Sequence, residues 1–135
     1  MGFVYQQKNN FEEAINSYDI ALKYNPRDSK SLCNKGVVLF KQKKYDESID
    51  LFKQAVNINP GYTTALKNLG ISYALLQDFD QALFYLKKSL EYQMDVANRI
   101  GTLRKVSELY NLTGNSALAN EYTNQANSLE AQSRR

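Results

Sequence analysis

The side chains that could carry chemistry are few. The 135 residues contain no histidine and one cysteine, Cys33. Imidazole is therefore missing as a base and as a metal ligand, and a thiolate at Cys33 would have no histidine to activate it. Carboxylates pair at Glu12-Glu13 and Asp46-Glu47, and Asp78 and Asp80 stand close together. The two pairs fall where helices are expected to open, so their negative charge suits the helix dipole. Asp78 and Asp80 lack the further oxygen ligands of a calcium loop. Gly61, Gly101 and Gly114 are isolated, with no phosphate-cradling loop, HExxH or CxxC spacing. The expectation is no catalytic residue, no metal site and no cofactor.

The remaining reactive surface is aromatic and basic. Of the 10 tyrosines, Tyr5, Tyr18, Tyr45 and Tyr73 fall in the repeating columns described below and are expected in a core, whereas Tyr62, Tyr85 and Tyr92 are candidate surface anchors. Lys41, Lys43 and Lys44 form a short run, but a net charge of +3 is too small for a nucleic-acid face. One cysteine allows no internal disulfide. No apolar run approaches the roughly 20 residues of a membrane span. Met1 to Gln7 have neither the basic region nor the apolar stretch of a secretory signal, so the cytoplasm is the expected compartment.

What must position these side chains is a repeat. Gly2, Gly36 and Gly70 are 34 residues apart, as are Pro26 and Pro60. The aromatic column Phe11, Tyr45, Phe79 keeps the period, and so do the small columns Ala14, Ser48, Ala82 and Ala21, Ala55, Ser89. Bulky columns follow: Tyr5, Leu39, Tyr73, then Tyr18, Phe52, Leu86. Within one unit, Phe11, Ala14, Ile15, Tyr18, Ala21 and Leu22 recur at i, i+3, i+4, i+7, which is one apolar face of a helix. The spacing predicts helices over 11–24, 29–42, 45–58, 63–76 and 79–92. Asn10 and Asp28 are the expected N-caps, and Pro26 and Pro60 the stops. Glycine inside a helix costs about 1 kcal/mol against alanine, so its recurrence implies close approach of a neighbouring helix, with Ala14, Ala21, Ala55 and Ala82 as the small contacts. After Tyr92 the phase breaks, and a shift of three residues restores Leu103, Tyr110, Gly114, Ala119 and Ala126. A helix capped by Asp95 is expected over 96–112, a turn at Thr113-Gly114-Asn115, and a polar capping helix from Ser116 to about Gln132.

These columns resemble the tetratricopeptide repeat, whose 34-residue unit carries leucine–glycine, an aromatic, alanine, an aromatic, alanine and proline. The third unit reads Leu69-Gly70, Tyr73, Ala82, Leu86, Ser89, and the second Gly36, Leu39, Ser48, Phe52, Ala55, Pro60. Leu32 and Leu66 stand where the family pattern has tryptophan. The resemblance implies an all-α, right-handed α-solenoid of antiparallel helix pairs. It implies one domain over 1–135: a partial repeat at 1–28, repeats at 29–62 and 63–96, and a divergent repeat with a capping helix at 97–135. The chain opens inside the first helix of its first unit, as a fragment of a longer array would.

In that family the first helix of each pair lines a concave groove. Carried over residue by residue, the groove takes Phe3, Gln6 and Gln7 from the first unit. The second gives Lys30, Cys33, Asn34, Val37, Phe40 and Lys41, and the third Thr64, Lys67, Asn68, Ile71, Ala74 and Leu75. The fourth gives Arg104, Lys105 and Glu108. Asn34 and Asn68 recur at the repeat spacing, and an amide both donates to and accepts from a peptide backbone. Five basic residues face one acid on these positions. The expected function is a non-catalytic protein–protein interaction scaffold that binds an extended or helical segment, acidic with apolar anchors. The lysine–asparagine clamp that some members use on acidic chaperone tails is disfavoured, because its positions hold Cys33 with Val37 and Lys67 with Ile71. Two other readings remain: self-assembly into a homo-oligomer through the repeat ends, where the Phe11–Leu22 flank would be incompletely covered, and a regulatory region of a longer enzyme.

Overall fold

The computed structural model describes the backbone of residues 2–134 and the side chains of residues 10–134. Seven α-helices, and no strand among the described residues, make up the fold: α1 Gly2–Tyr24, α2 Ser29–Lys41, α3 Tyr45–Ile58, α4 Thr63–Leu75, α5 Phe79–Ser89, α6 Val96–Leu112 and α7 Ser116–Ser133. The chain divides into two compact units, residues 1–68 and 69–135, with the division inside α4. It is an all-α helical repeat of the solenoid class.

The helix ends follow from single residues. Asp28 caps α2 by accepting from the Ser31 amide and hydroxyl, at 3.4 and 2.8 Å. Asp95 caps α6 through the Asn98 amide at 2.7 Å, and Asn115 caps α7 through Leu118 at 3.2 Å. Asp78 also proves to be a cap, accepting from the Gln81 amide at 3.3 Å. Each satisfies one of the amides that a helix start leaves without a partner. Pro26 and Pro60 lie just beyond α1 and α3, which stop at Tyr24 and Ile58.

Two boundaries differ from expectation. Asn10 caps nothing, because α1 runs unbroken from Gly2 to Tyr24. Lys8-Asn9-Asn10 holds neither glycine nor proline, and each residue added to an existing helix gains a hydrogen bond without a new nucleation cost. Glu12 and Glu13 therefore sit inside a helix and not in a first turn. Helix α5 stops at Ser89, three residues before the expected end. There the chain tightens into i to i+3 bonds at Leu90, Glu91 and Tyr92. The Arg99 guanidinium takes the carbonyls of Leu90 and Tyr92 at 3.0 and 2.8 Å, the acceptors a longer α5 would have used.

In the first unit α2 packs on α3, burying Leu32, Leu39, Ile49, Phe52 and Ala55. In the second unit Ala82, Leu86, Val106, Leu109 and Ala119 form one cluster. The helical glycines do mark close approach, but what meets them is large. A Cβ on Gly36 would come within 2.7 Å of the Phe52 ring, and one on Gly70 within 2.5 Å of Leu86 Cγ. Among the nearest atoms, the expected small residues are represented by Ala82 at Gly70, through its carbonyl oxygen at 3.1 Å. Each glycine is the hole that admits one bulky side chain.

The shifted register of the last helix pair is visible in its turn. Lys43, Gln77 and Gly114 all have positive φ, at 63°, 65° and 85°. They close the turns α2–α3, α4–α5 and α6–α7, the first two 34 apart and the last 37 further on. The same shift of 37 places Leu103, Tyr110, Ala119 and Ala126, all buried.

Candidate peptide-binding face

A face for a partner must come from positions the core does not use. On α2 these are Lys30, Asn34, Val37 and Lys41, spaced by four, three and four residues, which keeps them on one side of the helix. Lys30 and Lys41 are exposed, and Asn34 and Val37 half-buried. Phe40 is half-buried, its ring edge-on to Tyr45 at 5.3 Å, so it stiffens the α2–α3 turn and presents only part of its surface. On α4 the matching positions are Thr64, Asn68, Ile71 and Leu75, with Lys67 beside them. Thr64 is exposed, Leu75 is 51% exposed, and Lys67, Asn68, Ile71 and Ala74 are half-buried. Other positions of each helix are core: Leu32, Cys33 and Leu39 on α2, and Leu66, Leu69 and Ser72 on α4.

Cys33 was expected on this face and is not there. It is 1% exposed, with Tyr62 as its neighbour. Burial raises the thiol above its usual range. The same burial, with Cys33 alongside, pushes Tyr62 up to about 12. Tyr62 itself is half-buried. Tyr85 is occupied, stacked on Tyr73 at 5.8 Å, and Tyr92 is half-buried. Phe3, Gln6 and Gln7 lie outside the described side chains.

The charges of α6 are partly engaged within the fold. Arg104 pairs with Glu130 of α7, which also holds Arg134 at 2.7 Å. Lys105 pairs with Glu108 at 3.5 Å. The basic excess expected from the sequence therefore narrows on α6, while Lys30 and Lys41 are exposed on α2.

Sequence reasoning missed a second feature, confined to the second unit. Tyr110 stacks on Tyr122 at 5.6 Å, as Tyr73 does on Tyr85. The two pairs are related by the same 37-residue shift that aligns the buried columns, and that recurrence is the signal that could have revealed them. Lys87 donates to the Tyr110 hydroxyl at 3.0 Å, and this bond raises the lysine above its usual value. Beside it opens a cleft of about 870 Å³, lined by Leu90, Arg99 and Leu103 together with Glu121, Tyr122 and Leu129. Among the described residues, no three His, Cys, Asp or Glu side chains gather as a metal cluster, and no helix is long and apolar enough to cross a membrane.

Comparison with known proteins matches this geometry. Residues 27–95 match the tetratricopeptide repeat, and residues 2–43 a further TPR repeat description. The chain belongs to the tetratricopeptide repeat family. No curated protein matches the sequence. Among solved structures it is similar to MamA (41-end) from Desulfovibrio magneticus RS-1, at 20% identity over 98% of this chain and 73% of that one, with a TM-score of 0.80. It is also similar to BtubC (BKLC) from P. vanneervenii, at 17% identity over 98% and 61%, with a TM-score of 0.83. A third similarity is to a chain of the APC/C hetero-tetramer Cut9–Hcn1, at 16% identity over 91% and 23%, with a TM-score of 0.77. At such identities the likeness is one of fold.

Proposed function

We propose that this chain is a non-catalytic protein-interaction scaffold whose α2 and α4 faces receive an extended or helical peptide segment of acidic character. The observation that carries the reading is a recurrence on the surface. The pairs Lys30 and Thr64, Asn34 and Asn68, Val37 and Ile71, and Lys41 and Leu75 each stand 34 residues apart, and none of these residues is buried. Asn34 and Asn68 hold the peptide backbone. Val37, Ile71 and Leu75 supply apolar contact. Lys30, Lys41 and Lys67 attract the charge, with Arg104 and Lys105 in support. Complementary charge acts mainly on the association rate, and it is screened beyond about 10 Å at 0.1 M salt. Binding therefore weakens with salt without vanishing.

The test is a panel of acidic, neutral and basic peptides with apolar anchors, measured by titration calorimetry. Asn34→Ala/Asn68→Ala should weaken the best peptide by about 0.5–1.5 kcal/mol per lost hydrogen bond. Lys41→Glu/Lys67→Glu should flatten the salt dependence. Wild-type affinity in both folded variants would place the peptide elsewhere and withdraw the reading.

A further inference from the structure

The last helix pair is longer than its repeats. A shift of 37 residues carries Leu66 to Leu103, and the start of α5 at Phe79 to the start of α7 at Ser116. By the same shift α6 would start at residue 100, yet it starts at Val96 and gains one turn. Helix α5 stops after 11 residues, whereas α7 continues for 18. Between the short helix and the two long ones lies the cleft of about 870 Å³, and every residue lining it belongs to the compact unit 69–135.

The middle of this cleft is apolar. Leu103 of α6 is 3% exposed, and Leu90, Tyr122 and Leu129 are half-buried. Around them stand the exposed side chains of Glu91, Glu121, Asn124, Gln125 and Ser128. An apolar centre inside a polar rim is the anatomy of a protein interface. On α7, Glu121, Gln125 and Ser128 recur at i, i+4 and i+7, so the wall is a stripe along two helical turns. A trough of that form suits the apolar stripe of another helix, whose anchors recur at the same spacing.

The charges fix the chemistry of the occupant. Two cations and two carboxylates line the cleft. Both cations are bonded within the fold. Arg99 holds the carbonyls of Leu90 and Tyr92 at 3.0 and 2.8 Å, at the negative end of the α5 dipole. Lys87 bonds the Tyr110 hydroxyl at 3.0 Å and lies 5.7 Å from the centre of that ring. Glu91 and Glu121 are exposed, and among the described residues neither carboxylate has an ion pair or a side-chain hydrogen bond. Their acceptor oxygens are unspent, and lysine or arginine completes such a group.

We propose that this cleft receives an amphipathic helix of a partner protein, its leucine-sized anchors seated on Leu90, Leu103 and Leu129 and its lysine or arginine paired with Glu91 and Glu121. The formal charges of the cleft balance, so contact pairs set the preference and long-range steering does not. The preference is opposite in sign to that of the α2 and α4 faces. No residue is shared with them, so neither reading depends on the other.

The probe is a phage-displayed library of short helical peptides, with leucine fixed at i, i+3 and i+7 and the other positions randomised, selected on the full chain. Counter-selection on Gln125→Trp removes peptides that bind outside the cleft. Gln125 is exposed, so the added ring fills the cleft and circular dichroism should stay unchanged. The expected survivors carry lysine and arginine beside their leucines. By fluorescence anisotropy a survivor should bind Glu91→Lys/Glu121→Lys about tenfold more weakly, as two favourable pairs become two repulsions. The same peptide with its basic residues exchanged for glutamate should prefer that variant to the unaltered chain. An empty selection, survivors without a basic excess, or an affinity that the charge reversal leaves unmoved would overturn the proposal. So would a dimer of the unaltered chain in light scattering that Gln125→Trp dissociates, because the occupant would then be a second copy.

Discussion

Ser107 donates its hydroxyl to the carbonyl oxygen of Ala119 at 2.8 Å and lies 2.5 Å from the Thr123 hydroxyl. These residues stand 37 positions after Gly70, Ala82 and Leu86. The contact that α4 and α5 make by fitting Leu86 over a glycine is made between α6 and α7 by a hydrogen bond over a smaller threonine. Ser107→Gly should cost about 0.5–1.5 kcal/mol for the lost bond, and roughly 0.5 kcal/mol more in helix propensity. Thr123→Leu alone should overpack by about 1–3 kcal/mol. Ser107→Gly/Thr123→Leu rebuilds the pairing of α4 with α5 and should be more stable than the two single losses sum to. Denaturant unfolding of the four chains checks this, and strict additivity would contradict it.

Two helical glycines should respond in opposite directions. Gly70→Ala places a methyl 2.5 Å from Leu86 Cγ and 3.1 Å from a backbone oxygen that cannot yield. An overpacking cost of about 1–3 kcal/mol outweighs the roughly 1 kcal/mol of helix propensity gained. At Gly101, inside α6, nothing lies within 4 Å of an added Cβ. Gly101→Ala should therefore stabilise by up to about 1 kcal/mol. Melting temperatures moving the same way for both would refute the packing account.

The turns offer a third comparison. Lys43 and Gln77 hold left-handed φ without being glycine, at a cost of about 1–2 kcal/mol each. Gln77→Gly should recover part of that cost, because the strain relieved exceeds the entropy added to the unfolded chain. Gly114→Ala should lose a comparable amount at φ 85°. Thermal melts of the two variants check the pair, and a destabilised Gln77→Gly would show the turn to be unstrained.

The columns made most of this fold legible because each reports a backbone event: glycine a close approach, proline a stop, aspartate a cap. The helix starts at Ser29, Tyr45, Thr63, Phe79, Val96 and Ser116 follow from them. What they did not report was partner identity. Gly36 and Gly70 showed that something comes near, but not that it is Phe52 or Leu86. Asn10 had the right chemistry for a cap, yet a helix arriving from upstream needs none. The end of α5 was hidden because Arg99 reaches back from the next helix, and local sequence carries no trace of that contact. On the candidate face, Asn34 and Asn68 were legible by spacing, whereas Cys33, on the same helix, turns inward to Tyr62. One helical step decides between water and core, and a transferred groove position does not fix that step.

The Cys33–Tyr62 pair sets the alkaline response. Burial holds the thiol above its ordinary 9.0, and Tyr62 rises from 10.0 to about 12 through burial and then its neighbour Cys33. In the unfolded chain both groups ionise near their ordinary values, while the folded chain keeps its protons. Between about pH 9 and pH 12 the unfolded state therefore binds fewer protons, and stability falls as pH rises. The contribution is whole below about pH 9 and is lost as pH climbs through the folded values. Lys87, raised by its bond to Tyr110, adds to the same fall at its upper end. Each proton of difference steepens the slope by about 1.4 kcal/mol per pH unit. Tyr62→Phe removes the tyrosine part and should flatten the decline between pH 9.5 and 11. The check is unfolding free energy against pH for both chains. Parallel curves would mean that Tyr62 ionises as freely in the folded state as in the unfolded one, and the buried contact with Cys33 would not stand.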